Sequence, residues 1–466
     1  MEKYDLIVLG SGPGGYPAAI RAAQMGMRVA LVEREALGGT CLNWGCIPTK
    51  TLLASAGLFH AIQHAADMGV QVAAPKADYA AMVGRKAQVV SKLQQGVGQL
   101  LKAHGVSVYR GTGRFESRRC VVVSDAEHEA ARLEAAHVII ATGTVSARPS
   151  FLPQSPAVLD SRSFLELTEL PASLIVMGGG IIGCELACLA AQLGAQVTVV
   201  EMLEDILMML DRDTRTILRR YMEKDLKIRL LTGVKMEKVT SGKGKRGVKA
   251  EVGGESLSAD YLLAAVGRVP DTSALDLTVV GVRTNERGYI ETDEACRTNV
   301  AGIFAIGDVN GGAQLAHAAT AQGLAVVETI ANGMPPARRD AMPSCIFTTP
   351  EIGMVGLSEQ EAKQQSREVI VGKFNFAALG KALAADATIG FVKWIADAAA
   401  GQILGAQAVG AHATELIAEA AMAVQAELTL RDVARTVHAH PTMSEAWMEA
   451  ADVALGLCVH APPRRK

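Results

Sequence analysis

Cys41 and Cys46 stand in the run Gly38-Gly39-Thr40-Cys41-Leu42-Asn43-Trp44-Gly45-Cys46-Ile47-Pro48-Thr49-Lys50, just after a glycine-rich turn of the kind that cradles phosphates. Thiols this close to a phosphate-binding turn suggest a disulfide that exchanges electrons with a flavin or a nicotinamide. Residues five apart on an ideal helix point about 140° away from each other. The two sulfurs can meet only if the first turn is distorted, and Gly45 eases that distortion. A disulfide so placed is expected to be readily reduced. The alternative is a pair of buried structural thiols, since free cysteine is often buried.

The glycine-rich turn is present twice. Leu6-Ile7-Val8-Leu9-Gly10-Ser11-Gly12-Pro13-Gly14-Gly15 recurs as Leu174-Ile175-Val176-Met177-Gly178-Gly179-Gly180-Ile181-Ile182-Gly183. One offset maps Gly10, Gly12 and Gly15 onto Gly178, Gly180 and Gly183, Gly26 onto Gly194, and Glu33 onto Glu201. Each copy reads as strand, turn, helix and second strand. The first two glycines let backbone amides approach a pyrophosphate, and the third lets the helix pack on its strand. The helix N-terminus favours the phosphates, and the acid ending the second strand accepts from a ribose diol. Two units imply two nucleotides. The first adjoins the cysteines and suits a bound flavin; the second suits a diffusible nicotinamide. Glu201, with Glu204 and Asp205 after it and no arginine beside it, favours NAD over NADP.

Size and charge agree with a multidomain enzyme. The chain has 466 residues, a 49% hydrophobic share, 20% charged residues and a net charge of −2. Nothing in that balance argues for nucleic acid or an anionic membrane. Eight cysteines in this length are not a disulfide scaffold. Thiols that cycle fit a reducing cytosol, so a cytoplasmic location is expected. Met1-Glu2-Lys3 leads directly into an apolar strand, so no signal peptide is expected. The most apolar stretch, Leu174 to Leu193, is interrupted by Glu185 and is no bilayer span. The tail Pro462-Pro463-Arg464-Arg465-Lys466 reads as a frayed basic end.

The positioning elements follow from periodicity. Lys50 to about His64 reads as a helix continuing from the cysteines, and Arg85 to His104 as a long helix with Val89, Val90, Leu93, Val97, Leu100 and Leu101 inward. Val138 to Gly143, Leu262 to Gly267 and Gly302 to Asp308 are apolar strands ending near glycine. Lys243 to Gly247 is a solvated turn. After Pro343, strand-like segments at Cys345–Phe347, Glu368–Phe374, Gly390–Ile395 and Ile403–Val409 surround helices at Ser358–Gln365 and His412–Gln425. The expected fold is α/β: two Rossmann-like dinucleotide-binding domains plus a C-terminal α+β interface domain. The expected boundaries are 1–148, 149–270, 271–342 (returning to the first domain) and 343–466.

On these segments, together with Ala141-Thr142-Gly143, Gly267-Arg268-Val269-Pro270, Ala305-Ile306-Gly307-Asp308 and His438-Ala439-His440-Pro441-Thr442-Met443-Ser444-Glu445, the whole chain resembles the flavin-dependent pyridine nucleotide–disulfide oxidoreductases. The resemblance implies a homodimer that oxidises dihydrolipoamide, borne on a lipoyl domain or carrier protein of another chain, and reduces NAD⁺ through the Cys41–Cys46 disulfide and FAD. It assigns FAD to Gly10, Gly12, Gly15, Glu33, Gly39, Thr40, Lys50, Ala141, Thr142, Gly143, Gly307, Asp308, Ala316 and His317. It assigns NAD to Gly178, Gly180, Gly183, Glu201, Gly267 and Arg268. Lys50 would sit near flavin N5 and pair with Glu185, a carboxylate that keeps the lysine protonated and placed. His440, oriented by Glu445, would be the general base and reach the disulfide of the other subunit, with a cis bond between His440 and Pro441. No metal is expected: His438 and His440 alternate, so on a strand they would share a face, but further ligands are lacking.

Of the remaining cysteines, Cys184 and Cys188 lie one helical turn apart and are expected in the core, Cys120, Cys296 and Cys345 are expected to be inert, and Cys458 is a lone thiol near the C-terminus with no paired motif. Two residues depart from the family pattern. Trp44 adds bulk between the cysteines, where a smaller residue such as valine is usual. Asp271 replaces a frequent asparagine and is expected to weaken contacts of the nucleotide domain slightly. The competing assignment within the family is a reductase of glutathione-like disulfides that uses NADPH.

Overall fold

The computed structural model describes residues 1–125, 129–242, 244, 246–333 and 341–462. Part of the expected turn over 243–247 and the basic tail after Pro462 lie outside the described residues.

Apolar runs without polar alternation become parallel strands covered on both faces. In the first unit they stand in the order Ser107–Arg110, Val29–Glu33, Glu2–Leu9 and Glu129–Ile140, with Ile303–Ala305 paired onto the last. In the second unit the order is Arg229–Thr232, Gln196–Glu201, Ser173–Met177, Tyr261–Ala264 and Val158–Leu159, again parallel. The repeat in the sequence is therefore a repeat of topology. It extends to single hydrogen bonds: Gly10 N–H donates to Val32 O and Gly178 N–H to Val200 O, each at 2.8 Å. Both units also carry an antiparallel meander, which the sequence pattern does not separate from the parallel strands.

The helix Cys46–Gln63 continues from the second cysteine as expected. The long helix starts earlier than its apolar pattern, at Tyr79, because Asp78 caps it by accepting from Ala81 N–H at 2.9 Å. Of its expected inward residues Val97 and Leu101 are buried, whereas Leu93 and Leu100 are exposed. No helix among the described residues is long and apolar enough to cross a membrane.

The C-terminal unit is an antiparallel sheet in the order Ser344–Ile346, Glu351–Gly356, Ile403–Gly410, Gly390–Asp397 and Val369–Asn375. Glu351–Gly356 is not evident in the sequence because glycine interrupts its apolar pattern. Gly353 is needed there: a Cβ on it would lie 2.5 Å from Ala413 O of the helix packed above. The core of this unit is a tryptophan pair, Trp394 and Trp447, with ring centres 4.4 Å apart. Trp394 Nε1–H donates to Trp447 O at 2.9 Å, and Trp447 Nε1–H to Leu416 O at 3.1 Å, so both polar edges are satisfied inside. This fixes the helix Glu445–Leu455, whose first residue is the expected partner of His440.

Lys393, fully buried, joins this sheet to the second nucleotide unit. Its Nζ donates to Asp211 (2.9 Å), Asp213 (2.8 Å) and Glu359 (2.6 Å). These carboxylates are the one group among the described residues with spacing for a cation, and the ammonium stands among them. Burial pulls the Lys393 pKa down, but the bonds to Asp213 and Glu359 outweigh it and raise it. Burial pushes Asp213 up, and Lys393 brings it below the usual carboxylate value. A carboxylate with a lowered folded pKa adds stability above its unfolded pKa, about 3.9, and loses it as pH falls through the folded value. Lys393→Met should therefore cost about 3–5 kcal/mol at pH 7, lowering the thermal midpoint by roughly 5 °C, because it leaves the buried Asp211 carboxylate without its cation and Asp213 with Lys373 alone. The deficit should shrink toward pH 4 as those carboxylates take up protons; an equal deficit at both pH values, read by calorimetry, would contradict this account.

Candidate active site

The two glycine-rich turns have nearly the same geometry. Gly10 and Gly178 have φ of +100° and +110°, and a Cβ on either would lie 2.4 Å from a carbonyl, Ala141 O or Ala265 O. A Cβ on Gly15 would lie 1.9 Å from Gly10 O, and one on Gly183 2.0 Å from Gly178 O. These glycines set the close packing of turn and helix. Gly12 and Gly180, by contrast, face open space, where a pyrophosphate can approach the backbone. The acids are held alike. Glu33 accepts from Ser11 N–H at 2.9 Å and Glu35 N–H at 2.8 Å; Glu201 accepts from Gly179 N–H at 2.6 Å and Leu203 N–H at 2.8 Å. Arg215 and Arg219 of the second unit are both engaged by Asp205, at 3.4 and 2.8 Å.

A cavity of about 1690 Å³ runs between the units and is lined by both turns, both acids, Cys41 and Cys46. Cys41 and Cys46 are joined as a disulfide, with Cα atoms 4.7 Å apart. The chain achieves this by breaking the helix between them. Gly39–Trp44 ends at Gly45, whose φ of −131° and ψ of −109° are not helical, and Cys46–Gln63 begins anew. A Cβ on Gly45 would lie 3.0 Å from Thr40 O, so the break is closely packed. Gly39 has φ +59°, and its Cβ would lie 2.7 Å from Gly12 Cα; this glycine lets the disulfide segment abut the first turn.

One helical turn beyond Cys46, Lys50 Nζ donates to Glu185 Oε2 at 2.7 Å. The other oxygen of the buried Glu185 accepts from Phe347 N–H at 2.8 Å, and the ammonium lies 4.5 Å from the Phe347 ring centre. Three units meet in this contact: the disulfide helix, the second nucleotide helix and the C-terminal sheet.

On the opposite wall, Asp308 Oδ2 accepts from Thr144 Oγ1 at 2.9 Å, and that hydroxyl accepts from Arg268 Nε at 2.7 Å. Thr144 has no signal in the sequence; it stands next to Gly143 and is found only through the paired strands Thr144–Ser146 and Arg268–Pro270. Burial lowers the Arg268 pKa despite Asp308 nearby. Thr142 Oγ1 in the same wall is buried with no partner, a polar atom left for something inside the cavity. Ala316 begins the helix Ala316–Asn332, and His317 Nε2 lies 2.7 Å from Pro343 O. Ala141, Gly143, Thr40, Gly267 and Gly307 also line the cavity.

His440 stands apart from this cavity. Its Nδ1 is 2.8 Å from Glu445 Oε1, its ring is 77% exposed, and its bond to Pro441 is cis. Burial pushes Glu445 up, but the Thr442 N–H at 2.7 Å and the His440 ring bring its pKa below the usual value. The run around His438 and His440 is not a strand, so these residues do not share a face: His438 turns back to Glu419 at 2.7 Å.

The expectation for Asp271 needs adjustment, whereas that for the remaining thiols does not. Asp271 adds a contact rather than weakening one, since both of its oxygens accept from Arg34. Cys345 lines the cavity, yet burial raises its pKa to about 11, and Cys188 is raised to about 12, so neither is a ready thiolate at neutral pH.

Comparison with known proteins gives a consistent picture. Residues 4–323 match the family described as pyridine nucleotide-disulphide oxidoreductase, and residues 342–451 match its dimerisation domain. The dihydrolipoyl dehydrogenase of Halobacterium salinarum is 44% identical over 98% of this chain and 97% of its own. A crystal structure of LpdA from Mycobacterium tuberculosis superposes with a TM-score of 0.89 at 28% identity, covering 97% of this chain and 99% of that one. The HOCl-induced flavoprotein disulfide reductase RclA from Escherichia coli gives 0.85 at 29% identity, covering 95% and 98%.

The near-equality of the turns allows a test of their separate roles. Gly183→Ala should raise the Kd for NAD⁺ about tenfold to a hundredfold, the effect of forcing a methyl into a packed contact, with flavin content kept. Gly15→Ala should instead yield protein depleted of flavin. Equal flavin loss in both variants, read from the visible spectrum, would show that the turns do not serve separate nucleotides.

Proposed function

The chain belongs to the pyridine nucleotide-disulphide oxidoreductase family, and from that footing we propose that it oxidises protein-bound dihydrolipoamide and reduces NAD⁺, serving a 2-oxoacid dehydrogenase complex or a glycine cleavage system. It is an oxidoreductase that uses FAD and NAD(H), and its C-terminal domain makes it a homodimer. The observation that carries the reading is the Cys41–Cys46 disulfide, set in one cavity with two nucleotide turns and the Lys50–Glu185 pair. A reducing cytosol suits thiols that cycle in this way.

The residues fit the cofactors. Open space at Gly12 and Gly180, the tethered carboxylates of Glu33 and Glu201, and the partnerless Thr142 Oγ1 suit two dinucleotides. Glu33, Gly39, Thr40, Lys50, Thr142 and Asp308 would hold FAD; Gly180, Glu201 and Gly267 would hold NAD. Arg268, which also lines the cavity and is held by Thr144, would face the same nucleotide. When bound, FAD accepts two electrons from a dithiol and passes them on as hydride to NAD⁺.

The protein's part is thiol chemistry and placement. His440 of the partner subunit, its Nδ1 turned to Glu445, takes the proton from one substrate thiol at Nε2. The thiolate attacks Cys41 Sγ; the S–S bond breaks and Cys46 leaves as a thiolate. The second substrate thiol displaces Cys41, which leaves as a thiol with that proton, closing the lipoamide disulfide. The Lys50 ammonium, anchored by Glu185, offsets negative charge that gathers beside Cys46.

Purified yellow protein should form NADH from dihydrolipoamide and NAD⁺, and far less NADPH from NADP⁺. Cys46→Ser should abolish that reaction while the protein stays yellow. His440→Gln should slow the thiol half-reaction about 10²–10⁴-fold, with electron exchange between pyridine nucleotides little changed. Full lipoamide activity in Cys46→Ser would overturn the assignment. Turnover only of glutathione-like disulfides with NADPH would favour the other branch of the family.

A further inference from the structure

The two residues that depart from the family pattern, Trp44 and Asp271, are ends of one chain of contacts. The Arg162 guanidinium lies 4.1 Å from the centre of the Trp44 ring, and its Nη1 donates to Glu35 Oε2 at 2.9 Å. Glu35 Oε1 lies 3.7 Å from Arg34 Nε, and Arg34 forks onto both oxygens of Asp271. All five residues line the cavity, and Arg34 stands next to Glu33. They come from distinct places in the fold. Arg34 and Glu35 come directly after the strand Val29–Glu33, and Trp44 ends the first disulfide helix. Arg162 lies in Ser161–Leu165, where the chain has crossed to the second nucleotide unit, and Asp271 lies where it has just crossed back.

We infer that these five residues form a clasp that retains FAD by tying both interdomain crossings to the rim of the first nucleotide cleft. The clasp presupposes FAD in that cleft, as proposed above. Widening the cleft at this rim separates Arg162 from Trp44 and Glu35, or Arg34 from Asp271. Each ion pair alone is weak, because Arg34 and Arg162 are 40% and 48% exposed. Opening at one crossing meets the Arg162 guanidinium on the Trp44 indole face and its pair with Glu35, and opening at the other meets the bidentate fork of Arg34 on Asp271. Cofactor release is therefore the quantity they govern, and its charged links make it sensitive to salt.

The test is the rate of FAD release from the holoenzyme, followed by the rise of free-flavin fluorescence at low salt and at about 1 M NaCl, where surface charges are screened within a few ångströms. Salt should speed release from the wild type. Asp271→Asn, Arg162→Gln and Trp44→Val should each release FAD about fivefold to tenfold faster at low salt, and the two charge variants should lose much of the salt response. Glu255→Gln, which breaks an exposed bidentate pair with Arg229 away from the cavity, should release at the wild-type rate. Flavin-loaded variants that release at the wild-type rate with the wild-type salt response would overturn the clasp. Wild-type protein carrying no flavin would instead overturn the cofactor assignment beneath it.

Discussion

The arrangement depends on one buried carboxylate. Glu185 sits inside the molecule on the second nucleotide helix, and an ionised carboxylate there is tolerable only if its oxygens are engaged. One oxygen takes the Lys50 ammonium and the other the Phe347 amide. Because these partners belong to the disulfide helix and the C-terminal sheet, satisfying one side chain fixes the relative placement of three units. The disulfide, one turn away, is placed by the same contact. The Lys393 cluster repeats this logic with the signs reversed, a buried ammonium among carboxylates from two units.

Duplication supplies the remainder. The same turn, carboxylate tether and strand order serve twice, and the copies differ in the segment that leaves the second strand. After Glu33 the chain enters a short helix with a cysteine at each side of a break; after Glu201 it runs into a loop that leads to Asp211 and Asp213. A common nucleotide platform is thus specialised by a few residues at one edge, where side chains meet the bound group.

Legibility in the sequence depends on distance along the chain. The repeated glycines and the cysteine pair are local spacings, readable because a phosphate-binding turn or a disulfide needs particular residues at short intervals, whereas His440 with Glu445 is read through the family resemblance. Glu185 is readable only beside a known family pattern, since nothing local pairs it with Lys50. Thr144 beneath Arg268, the Lys393 cluster, and the path from Trp44 to Asp271 join residues far apart in the chain, and no periodicity encodes them. Glu351–Gly356 is hidden for a different reason: close packing under a helix requires Gly353, which erases the strand's alternation. Alternation of the histidines near the C-terminus suggests one shared face on a strand, but the run between the helices Leu430–Arg435 and Glu445–Leu455 is irregular, and each imidazole finds its own carboxylate.

His440 is anchored through Glu445 to a helix that Trp447 locks into the core, yet it stands outside the cavity of its own disulfide. If His440 serves the disulfide of the partner subunit, as proposed above, a working centre is a property of two copies of the chain. A chain damaged at its cysteines and a chain damaged at its histidine are each inactive as pure dimers, but a mixed pair still assembles one intact centre. On that proposal two lesions at this locus would complement one another in a cell that carries both, and a single defective allele would be partly masked rather than dominant.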